Sequence, residues 1–379
     1  MYRIALVTVS LQHYRLSFYE KLTKSNPDMH WTIYHGIHDK DDGRPAYEGV
    51  IGFPNQRFRE IKKKFGPFSI VYNKGLNSMI RRSDPDVLIM PGMAGNISNR
   101  MIIYWARRKG KKVIMWTCGW EPGLAKGFLL SFKNHFVSSF FRKADFHLTY
   151  SNKANKYTEL MGVPSKNIQT CYNGIEIDNL LETERKVIEN SAILRKEFNL
   201  PGNVTFLYVG GLIPEKRIDL LIDGFIGLRN KHPNIKLLII GDGPGKKELL
   251  EILEKVNDNH ILYLGRIVDK VDEYFAAADC LVLPGVGGLA LNQAMFWGKL
   301  CIVSEADGTE DDLVIDGETG FRFEKGNLVS LREAMEKMVL LDPLKHDKMS
   351  KTAKKIILEK SNTNNMVNIF IETLNKLLN

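Results

Sequence analysis

The sequence has 379 residues, of which 44% are hydrophobic and 26% charged, a length that suits two domains and a composition that excludes a disordered chain. The net charge of +9 is uneven, because residues 1–180 carry 27 Lys and Arg against 14 Asp and Glu, whereas the remainder carries 26 against 30. A basic half indicates an anionic partner, such as an acidic lipid, a phosphorylated acceptor or a nucleic acid.

The first half alternates short apolar runs with longer segments of helical spacing. The runs predict strands at Ile4–Val9, Trp31–His35, Val87–Met90, Lys112–Thr117 and Phe146–Tyr150. The first run is too short for a signal peptide and no small-residue cleavage site follows it, so we expect a strand there. No segment reaches the roughly 20 apolar residues of a spanning helix, so we expect no integral membrane segment.

The second half repeats the pattern after a charged helix predicted at Glu182–Asn199 and a Pro201-Gly202 break. Strands are predicted at Val204–Val209, Lys236–Ile240, Ile261–Leu264, Cys280–Leu283 and Leu300–Val303, with helices such as Arg217–His232 and Lys246–Val256 between them. Strands rich in Val, Ile and Leu that alternate with helices indicate parallel sheets covered on both faces. We therefore predict an α/β protein with two doubly wound parallel-sheet domains, 1–180 and 181–360. A last amphipathic helix within 361–379 is expected to pack back on the first domain.

The four cysteines are Cys118, Cys171, Cys280 and Cys301. They have no CxxC spacing, and at least three lie among apolar residues. This usage favours a reduced, intracellular chain.

Ligands of open parallel sheets bind beyond the carboxyl ends of the strands, so the loops there are the candidate binding segments. Glycines in such loops let backbone N–H groups approach an anion closely, and a following helix start favours negative charge. Three loops fit this pattern: Gly210-Gly211 with Lys216 and Arg217, Gly241 with Gly243, and Arg266-Ile267. Taken singly, each is also compatible with an ordinary turn, and Asp242 with a helix cap.

The fourth loop is the richest in glycine. Gly285, Gly287 and Gly288 follow an apolar strand and precede a helix. Ordered glycine costs conformational entropy, so a backbone that must approach a ligand explains them better than packing does. The candidate ligand-binding residues of this loop are Gly287, Gly288, Leu289, Ala290 and Gln293. Asn292 and Gln293 could bond ribose or sugar hydroxyls, or could simply be polar residues at a helix start.

As a set, these loops resemble the donor domain of the retaining glycosyltransferase family 4, which has the GT-B fold. The resemblance covers about 200–325 and is looser in the first half, where it includes Tyr14-Arg15 and Asn173–Ile175. The matching pieces are Tyr208–Leu212 with Glu215-Lys216, Ile240–Pro244, Leu264–Arg266, Tyr274–Asp279, Leu283-Pro284, Gly288–Met295, Gly298-Lys299 and Asp316–Phe321. The resemblance implies two Rossmann-like domains facing across a cleft, with acceptor binding in 1–180 and nucleotide-sugar binding in 181–360.

The sequence departs from this family at several functional positions. Of the two glutamates that the family has seven residues apart, the first falls on Gly285 and the second on Gln293. Its phosphate-binding arginine falls on Gly211, for which Arg217 and Arg266 are the candidate replacements, while the lysine partner is retained as Lys216. The family's histidine of the first domain is replaced around Cys118.

The activity implied by the resemblance is transfer of a sugar, from a UDP- or GDP-sugar, with retention of anomeric configuration. Lys216 and helix starts would stabilise the leaving diphosphate without a metal or other cofactor. We expect no metal site, and Asp39, Asp41 and Asp42 are interpreted as a solvated loop. The acceptor would be a glycan or a lipid-linked molecule in cell-surface polysaccharide biosynthesis.

Two residues of the first half are candidates for positioning or activating the acceptor hydroxyl. His13 follows the first strand, and Glu121 lies in Gly119–Gly123 after a later one. Glu121 could act as a base. Each could instead be structural, His13 as a single packed histidine and Glu121 as a loop carboxylate. The predicted catalytic residues are therefore His13, Glu121 and Lys216.

The basic residues of the first half also suggest a membrane surface. Phe128–Lys143 mixes aromatic and basic residues, and further clusters lie at Arg57–Lys64 and Arg107–Lys112. Such a face can lie on an anionic bilayer, although the phenylalanines could instead be core. We expect a cytoplasmic protein that is peripheral on the inner face of the membrane. No nucleic-acid recognition motif accompanies the charge, so we expect no nucleic-acid partner.

Two alternative functions remain at this point. A sugar-nucleotide epimerase would need acid and base groups around the sugar, and no carboxylate pair is evident in the C-terminal loops. A non-catalytic nucleotide-sugar-binding subunit would be compatible with the replacements at Gly285, Gly211 and Cys118.

Overall fold

The computed structural model describes residues 1–37, 47, 49–65, 68–118, 128–200, 202, 204–306 and 308–378. The chain forms two compact units. Unit 1 comprises Met1–Tyr172 and Thr363–Asn379, and unit 2 comprises Asn173–Asn362. None of the described helices combines the length and the apolar character needed to cross a bilayer.

Unit 1 is a twisted sheet with helices packed against it. Its strands are β1 (Tyr2–Thr8), β2 (Met29–Ile37), β3 (Asn55–Phe65), β4 (Phe68–Lys74), β5 (Val87–Pro91), β6 (Lys112–Thr117), β7 (Phe146–Thr149) and β8 (Ile168–Thr170). Its first helices are α1 (Leu16–Lys24), α2 (Leu76–Ser83), α3 (Ile97–Arg108), α4 (Phe128–Phe141) and α5 (Asn152–Leu160). The strand order is β4-β3-β2-β1-β5-β6-β7-β8, and among the described strand pairs only β3–β4 is antiparallel.

Unit 2 has a parallel six-stranded sheet. Its strands are β9 (Val204–Val209), β10 (Ile235–Ile240), β11 (Ile261–Gly265), β12 (Cys280–Leu283), β13 (Leu300–Ser304) and β14 (Gly320–Phe323). Its helices are α6 (Asp178–Glu197), α7 (Ile218–Arg229), α8 (Lys246–Val256), α9 (Val271–Ala277), α10 (Ala290–Phe296), α11 (Thr309–Leu313), α12 (Leu328–Val339) and α13 (Pro343–Glu359). The strand order is β11-β10-β9-β12-β13-β14, and each described pair is parallel.

These strand orders give each sheet a topological switch point. In unit 1 the chain winds outward from β1 and then returns to place β5 on the other side of β1. In unit 2, β9 and β12 stand in the same relation. Loops that leave two such neighbouring strands diverge to opposite faces of the sheet, and the crevice between them is where doubly wound folds bind ligands.

The boundary between the units falls earlier than the predicted residue 180. Ile175 and Ile177 are buried in the same hydrophobic cluster as Leu207 and Leu238, so the segment from Asn173 onward packs with unit 2. The fold contains two doubly wound α/β units as expected, but the linker is short and its apolar residues already serve the second core.

The last helix, α14 (Thr363–Leu378), belongs to unit 1. Its Phe370 and Leu374 are fully buried in one cluster with Phe18 and Leu22 of α1. Lys21 donates a hydrogen bond of 2.8 Å to Asn364 Oδ1. The amphipathic pattern thus packs the end of the chain on the first sheet.

Sequence patterns failed to predict β3, β4, β8 and β14. The charged run Arg57–Lys64 was interpreted as a surface cluster; its charged residues are largely exposed, and it lies in β3 of the hairpin β3–β4 at the sheet edge. Only alternate residues of this hairpin, such as Phe58 and Val71, are buried. A strand that buries one face at a sheet edge lacks the continuous apolar run of a central parallel strand.

The membrane interpretation of Phe128–Lys143 is only partly compatible with the structure. Phe140 and Phe141 are buried in the core of unit 1, whereas Phe136 is 43% exposed beneath the guanidinium of Arg100. The buried phenylalanines of α4 therefore stabilise the unit and are not available to a bilayer.

Candidate functional site

The glycine-rich loops predicted from the sequence all lie at the carboxyl edge of the unit 2 sheet. They follow β9, β10, β11 and β12 directly. Backbone hydrogen bonds connect the first three: Gly210 N–H donates to Ile240 O at 3.1 Å, Leu212 N–H to Asp242 O at 3.0 Å, and Gly241 N–H to Gly265 O at 2.9 Å. The loops therefore form one continuous backbone surface.

Close backbone approach explains the glycines of the first two loops. A methyl group at Gly241 would collide with the carbonyl oxygen of Gly210. Gly243 has φ +154°, and a methyl group there would lie 2.7 Å from Leu212 O. Gly211 differs, since a methyl group there would meet no atom within 4 Å. The space that the resemblance assigns to an arginine at residue 211 is therefore open.

The fourth loop packs directly on the first. A Cβ atom at Gly285 would collide with the carbonyl oxygen of Glu215 and approach Lys216 Cα to 2.9 Å. Val286 N–H donates to the same Glu215 oxygen at 3.0 Å. No side chain fits at Gly285, which gives a physical reason why the glutamate expected there is missing.

Lys216 spans the switch point of unit 2. It ends the short 3₁₀ helix Pro214–Lys216 after β9, and its Nζ donates to the carbonyl oxygens of Val286, at 2.7 Å, and Gly287. Gly288 lies beside the ammonium, since a methyl group there would be 3.6 Å from Nζ. The ammonium is thereby held by carbonyl oxygens of the fourth loop, between the loops that follow β9 and β12.

A buried carboxylate lies beneath the same loop and was missed from the sequence. Glu310, on α11, is 1% exposed, and a methyl group at Gly287 would coincide with its carboxylate. Glycine at residue 287 is therefore needed to make room for Glu310. In the sequence, Glu310 lies in an acidic run, Glu310–Asp312, that resembles a solvated helix start.

The two candidates to replace the missing arginine, Arg217 and Arg266, lie in different surroundings. Arg217 has φ +52° and forms a two-pronged ion pair with Asp219, with distances of 2.9–3.1 Å. This pairing raises the pKa of Arg217 and holds its guanidinium near the start of α7. Arg266 is exposed after β11, and the adjacent Ile267 packs on the core.

The polar side chains of α10 have different roles. Asn292 is 2% exposed and its amide donates to Asn173 O and Ser361 Oγ, so it is structural and does not face a ligand. Gln293 is half-buried and its Nε2 donates to Asp272 Oδ1 at 2.8 Å. Leu289 and Ala290, which begin this helix, are half-buried beside it.

Unit 1 has a cavity of about 400 Å³ at its own switch point. It lies beyond the carboxyl ends of β1, β5, β6 and β7 and has Val7, Val9, Tyr14 and Pro91 among its walls. The polar residues that line it are Thr8, Ser10, Gln12, Arg15, Trp116 and Tyr150.

Arg15 supplies the positive charge of this cavity. Its guanidinium carbon lies 4.3 Å from the centroid of the Trp116 ring and 5.6 Å from that of Tyr150. Nη2 donates to the Tyr150 hydroxyl at 3.3 Å. Burial raises the pKa of Tyr150 to about 12, so this hydroxyl remains neutral at physiological pH.

Of the two predicted catalytic residues of unit 1, His13 lies among the described residues and Glu121 does not. His13 is exposed on the 3₁₀ helix His13–Arg15, packs edge-on against Tyr14, and is not among the residues that line the cavity. Glu121, with the rest of Gly119–Gly123, lies outside the described residues, as do Asp39, Asp41 and Asp42.

Cys118 is exposed after β6, and the other three thiols are buried; none of the four forms a disulfide. Among the described residues no group of His, Cys, Asp or Glu is arranged to hold a metal.

The residues that the sequence did not identify as a site are Glu310 and the Arg15–Trp116–Tyr150 group. The members of that group follow or end three different strands, so only the topology brings them together. Trp116 and Tyr150 lie at the carboxyl ends of predicted strands, which meet at one edge of a parallel sheet, but Arg15 is six residues beyond its strand and gives no such signal.

Comparison with known proteins agrees with this geometry. Residues 190–356, which lie within unit 2, match the family model for glycosyl transferases group 1. N-acetyl-alpha-D-glucosaminyl L-malate synthase of Bacillus anthracis is 23% identical over 354 residues, which cover 88% of this chain and 87% of the relative. The capsular polysaccharide biosynthesis glycosyltransferase CapM of Staphylococcus aureus is 26% identical over 173 residues, or 44% and 45% of the two chains.

Solved structures show the same fold. HepE of Anabaena, in complex with UDP, superposes with a TM-score of 0.74 at 16% identity and covers 99% of this chain and 100% of its own. Sucrose-phosphate synthase of Thermosynechococcus elongatus gives a TM-score of 0.67 at 16% identity, with 100% and 99% covered. The architecture is the two-unit parallel-sheet fold of GT-B glycosyltransferases, and the matches together support a glycosyltransferase.

Proposed function

We propose that the chain is a retaining glycosyltransferase that moves a sugar from a nucleotide-sugar to a glycan or lipid-linked acceptor in cell-surface polysaccharide biosynthesis. The observation that carries the proposal is Lys216, held at the switch point of unit 2 among glycine-rich loops. The segment that contains this site is also the one that matches the glycosyl transferase family model.

The chemistry requires stabilisation of a departing nucleoside diphosphate. Lys216 Nζ would exchange the carbonyl oxygens of Val286 and Gly287 for phosphate oxygens, and backbone N–H groups of the loops would add neutral donors. Such preorganised donors stabilise the charge that develops on the leaving group. We propose that this arrangement works without a metal or any cofactor other than the donor itself.

Retention of configuration, which the resemblance implies, does not require a carboxylate at Gly285. If the acceptor attacks from the face that the diphosphate leaves, no side-chain nucleophile is needed. The backbone at Gly285 is packed against Glu215 and Lys216, so a carboxylate at that residue could not reach the sugar. The contacts to the donor would come instead from backbone groups of Gly287 and Gly288 and from Gln293.

A UDP- or GDP-sugar is the proposed donor. The solved structures similar to this chain include HepE in complexes with UDP and with UDP-glucose, which favours testing uridine first. A glycan acceptor is supported by the names of the relatives, among them CapM and a lipopolysaccharide 1,2-N-acetylglucosaminetransferase of Salmonella typhimurium, which is 28% identical over 142 residues.

The proposed location is the cytoplasmic side of an anionic membrane. Free thiols fit a reducing compartment. In the hairpin β3–β4, Arg59 is opposite Lys74, Ile61 is opposite Tyr72, and Lys63 is opposite Ile70. All six side chains are exposed, so one face of the hairpin combines cations with apolar groups. Such a composition suits the headgroup region of an anionic bilayer.

The direct test is a thermal-shift panel of UDP-, GDP-, dTDP- and CMP-sugars without metal, on the wild type, Lys216→Ala and Lys247→Ala. Lys247 is a matched control because it lies on α8 with its side chain 90% exposed. A ligand at about 100 times its Kd stabilises the native state by about 2.7 kcal/mol. We expect one nucleotide series to stabilise the wild type and Lys247→Ala, and Lys216→Ala to bind about tenfold or more weakly, as the loss of a charged hydrogen-bond donor implies.

The outcomes separate the alternatives. Binding together with transfer to an acceptor, with the anomeric configuration retained, supports the proposal. Binding without turnover would favour a non-catalytic subunit, and isomerisation of the nucleotide-sugar would favour an epimerase. If no nucleotide raises the melting temperature of the wild type at millimolar concentration, the donor site does not exist and the proposal is wrong.

A further inference from the structure

Unit 2 carries a carboxylate between the first turns of two helices that begin at the carboxyl edge of its sheet. Asp272 is the second residue of α9, which follows the loop of Arg266 and Ile267. Gln293 lies in the first turn of α10, which follows the glycine-rich fourth loop. Asp272 therefore lies between two loops that the sequence predicts to bind the donor, although no sequence pattern identifies the residue itself.

Two neutral donors hold this carboxylate by one of its oxygens. Asp272 Oδ1 accepts a hydrogen bond of 2.8 Å from Gln293 Nε2 and one of 2.7 Å from Trp297 Nε1. Since Gln293 and Trp297 are one turn apart on α10, they hold the carboxylate against one face of that helix. The contact also fixes the amide of Gln293. An ionised carboxylate can only accept, so the amide directs its NH₂ group at Asp272 and its Oε1 elsewhere.

The other oxygen of each side chain is accessible to solvent. Asp272 Oδ2 and Gln293 Oε1 form no hydrogen bond with a described residue, and neither is among the buried polar atoms that lack a partner. Both residues are half-buried. The described partners of Asp272 are both neutral, so no described cation offsets its negative charge. Two hydrogen-bonded neighbours thus each present an accessible acceptor atom, one of them charged.

These two acceptors favour a ligand that carries neighbouring hydroxyl groups. A carboxylate repels phosphate but attracts hydroxyl donors, and a hydrogen bond to an ionised acceptor is about twice as strong as a neutral one. Two adjacent hydroxyl groups of a sugar can each donate to one of two neighbouring acceptors. In a nucleotide this feature is the ribose, and a carboxylate near the carboxyl ends of doubly wound strands is a recurrent partner of ribose hydroxyls.

We propose that Asp272, held by Gln293 and Trp297, accepts a ribose hydroxyl of the bound nucleotide and makes the donor site selective for ribonucleotides over 2′-deoxyribonucleotides. Gln293 Oε1 accepts the neighbouring hydroxyl. The glutamate that the resemblance expects at residue 293 is absent, and in this chain the adjacent helix supplies the carboxylate. The inference rests on the nucleotide-sugar binding proposed above, and it adds the residue that determines which sugar of the nucleotide is accepted.

The test is calorimetric titration of the full chain with UDP, GDP and their 2′-deoxy counterparts. Asp272→Asn removes the charge, while its amide oxygen can still accept from Gln293 and Trp297. Asp269→Asn is the matched control, because it removes the same charge from an exposed residue in the loop before α9. The double variant Asp272→Asn/Gln293→Glu exchanges the amide and the carboxylate between the two helices, so the pair keeps its charge and its hydrogen bond.

We expect the wild type to bind a ribonucleotide about tenfold or more tightly than its 2′-deoxy form, as the loss of a hydrogen bond to a charged group implies. Asp272→Asn should weaken binding of the ribonucleotide about tenfold and that of the 2′-deoxy form by clearly less, so that the selectivity is lost. Asp269→Asn should retain the selectivity, and the double variant should regain it. A purely structural role of Asp272 would weaken both forms equally.

Two results would overturn the inference and leave the proposed donor site in place. One is equal affinity of the wild type for a ribonucleotide and its 2′-deoxy form. The other is equal weakening of both forms by Asp272→Asn, which would show that the residue only connects α9 to α10. If Asp272→Asn does not fold, the wild-type comparison and the double variant decide. If the wild type binds no nucleotide, the donor site and this inference fail together.

Discussion

The two units have the same kind of switch point, but they build it from different parts of the polypeptide. In unit 2 the crevice after β9 and β12 consists mainly of backbone, with glycines at positions where a Cβ atom would collide and Lys216 as its cation. In unit 1 the crevice after β1 and β5 is lined by side chains, with the Arg15 guanidinium 4.3 Å from the centroid of the Trp116 ring. A backbone site requires particular glycines, whereas a side-chain site requires only that suitable residues meet.

The largest effect is expected where the backbone site is packed most tightly. Gly285→Glu would restore the family's residue, but its Cβ would collide with Glu215 O and crowd Lys216. We expect unit 2 to lose about 3 kcal/mol or more of stability, at the upper end of the cost of over-packing, and nucleotide binding to be lost with it. Chemical denaturation monitored by hydrogen exchange of unit 2 peptides measures the first effect, and the thermal-shift panel measures the second.

Gly211→Ala is the matched control for that change. Gly211 is exposed, and a methyl group there meets no neighbour within 4 Å, so its stability should stay within about 0.5 kcal/mol of the wild type. A stable Gly285→Glu variant that binds nucleotide more tightly would show that the loop can open, and that the family's glutamate was lost for a reason other than space.

The same contrast explains what the sequence could and could not predict. The central strands and the glycine-rich loops of unit 2 were predictable, because apolar runs and required glycines are local signals. The Arg15 cavity was not, since Arg15, Trp116 and Tyr150 are far apart in the chain and each is ordinary in its own segment. Asn292 was assigned a possible ligand role, but it bonds Asn173 O and Ser361 Oγ, partners that no local pattern reveals.

The charged segments were the least predictable part. In β3, Arg57, Arg59, Lys62 and Lys63 are exposed while Phe58 is buried, so the charges concealed the strand and it was interpreted as a surface cluster. The boundary between the units was predicted near residue 180, whereas unit 2 begins at Asn173. In the sequence, Ile175 and Ile177 resemble linker residues, because nothing local shows that they pack in the core of unit 2.

Unit 1 also contains a buried histidine, and its titration can be tested through the pH dependence of the stability of that unit. His147 on β7 is fully buried in unit 1, with Nε2 3.1 Å from Phe141 O, and burial lowers its pKa from 6.5 to about 4. Between these values the unfolded chain binds a proton that the folded unit does not. The free energy of unfolding of unit 1 is therefore highest, as far as His147 is concerned, above pH 6.5. It decreases by up to about 3 kcal/mol as the pH falls from 6.5 to 4.

Hydrogen exchange of β7 peptides at a series of pH values, corrected for the intrinsic rate, measures this loss. In His147→Gln, which keeps a donor for Phe141 O but does not titrate, the dependence between pH 6.5 and 4 should flatten. Peptides of unit 2 in the same samples report whether the change is confined to unit 1. An unchanged pH dependence in His147→Gln would mean that other groups cause the acid sensitivity of this unit.

The smallest expected effect concerns the charge that distinguishes the two halves of the chain, and it tests which face of unit 1 meets a membrane. Lys63 and Lys62 are adjacent on β3 and both are exposed, but Lys63 is opposite exposed Ile70, whereas Lys62 is opposite buried Val71. Of these two lysines, Lys63 therefore shares the face that carries Ile61 and Tyr72.

A lysine near an anionic surface contributes about 1 kcal/mol to binding, so Lys63→Gln should weaken sedimentation with phosphatidylglycerol vesicles about fivefold. Lys62→Gln removes the same charge from the opposite face and should weaken it by clearly less. Equal effects of the two variants would show that the net charge of the unit, rather than the β3–β4 face, attracts the membrane, and no sedimentation of the wild type would exclude the membrane part of the proposal.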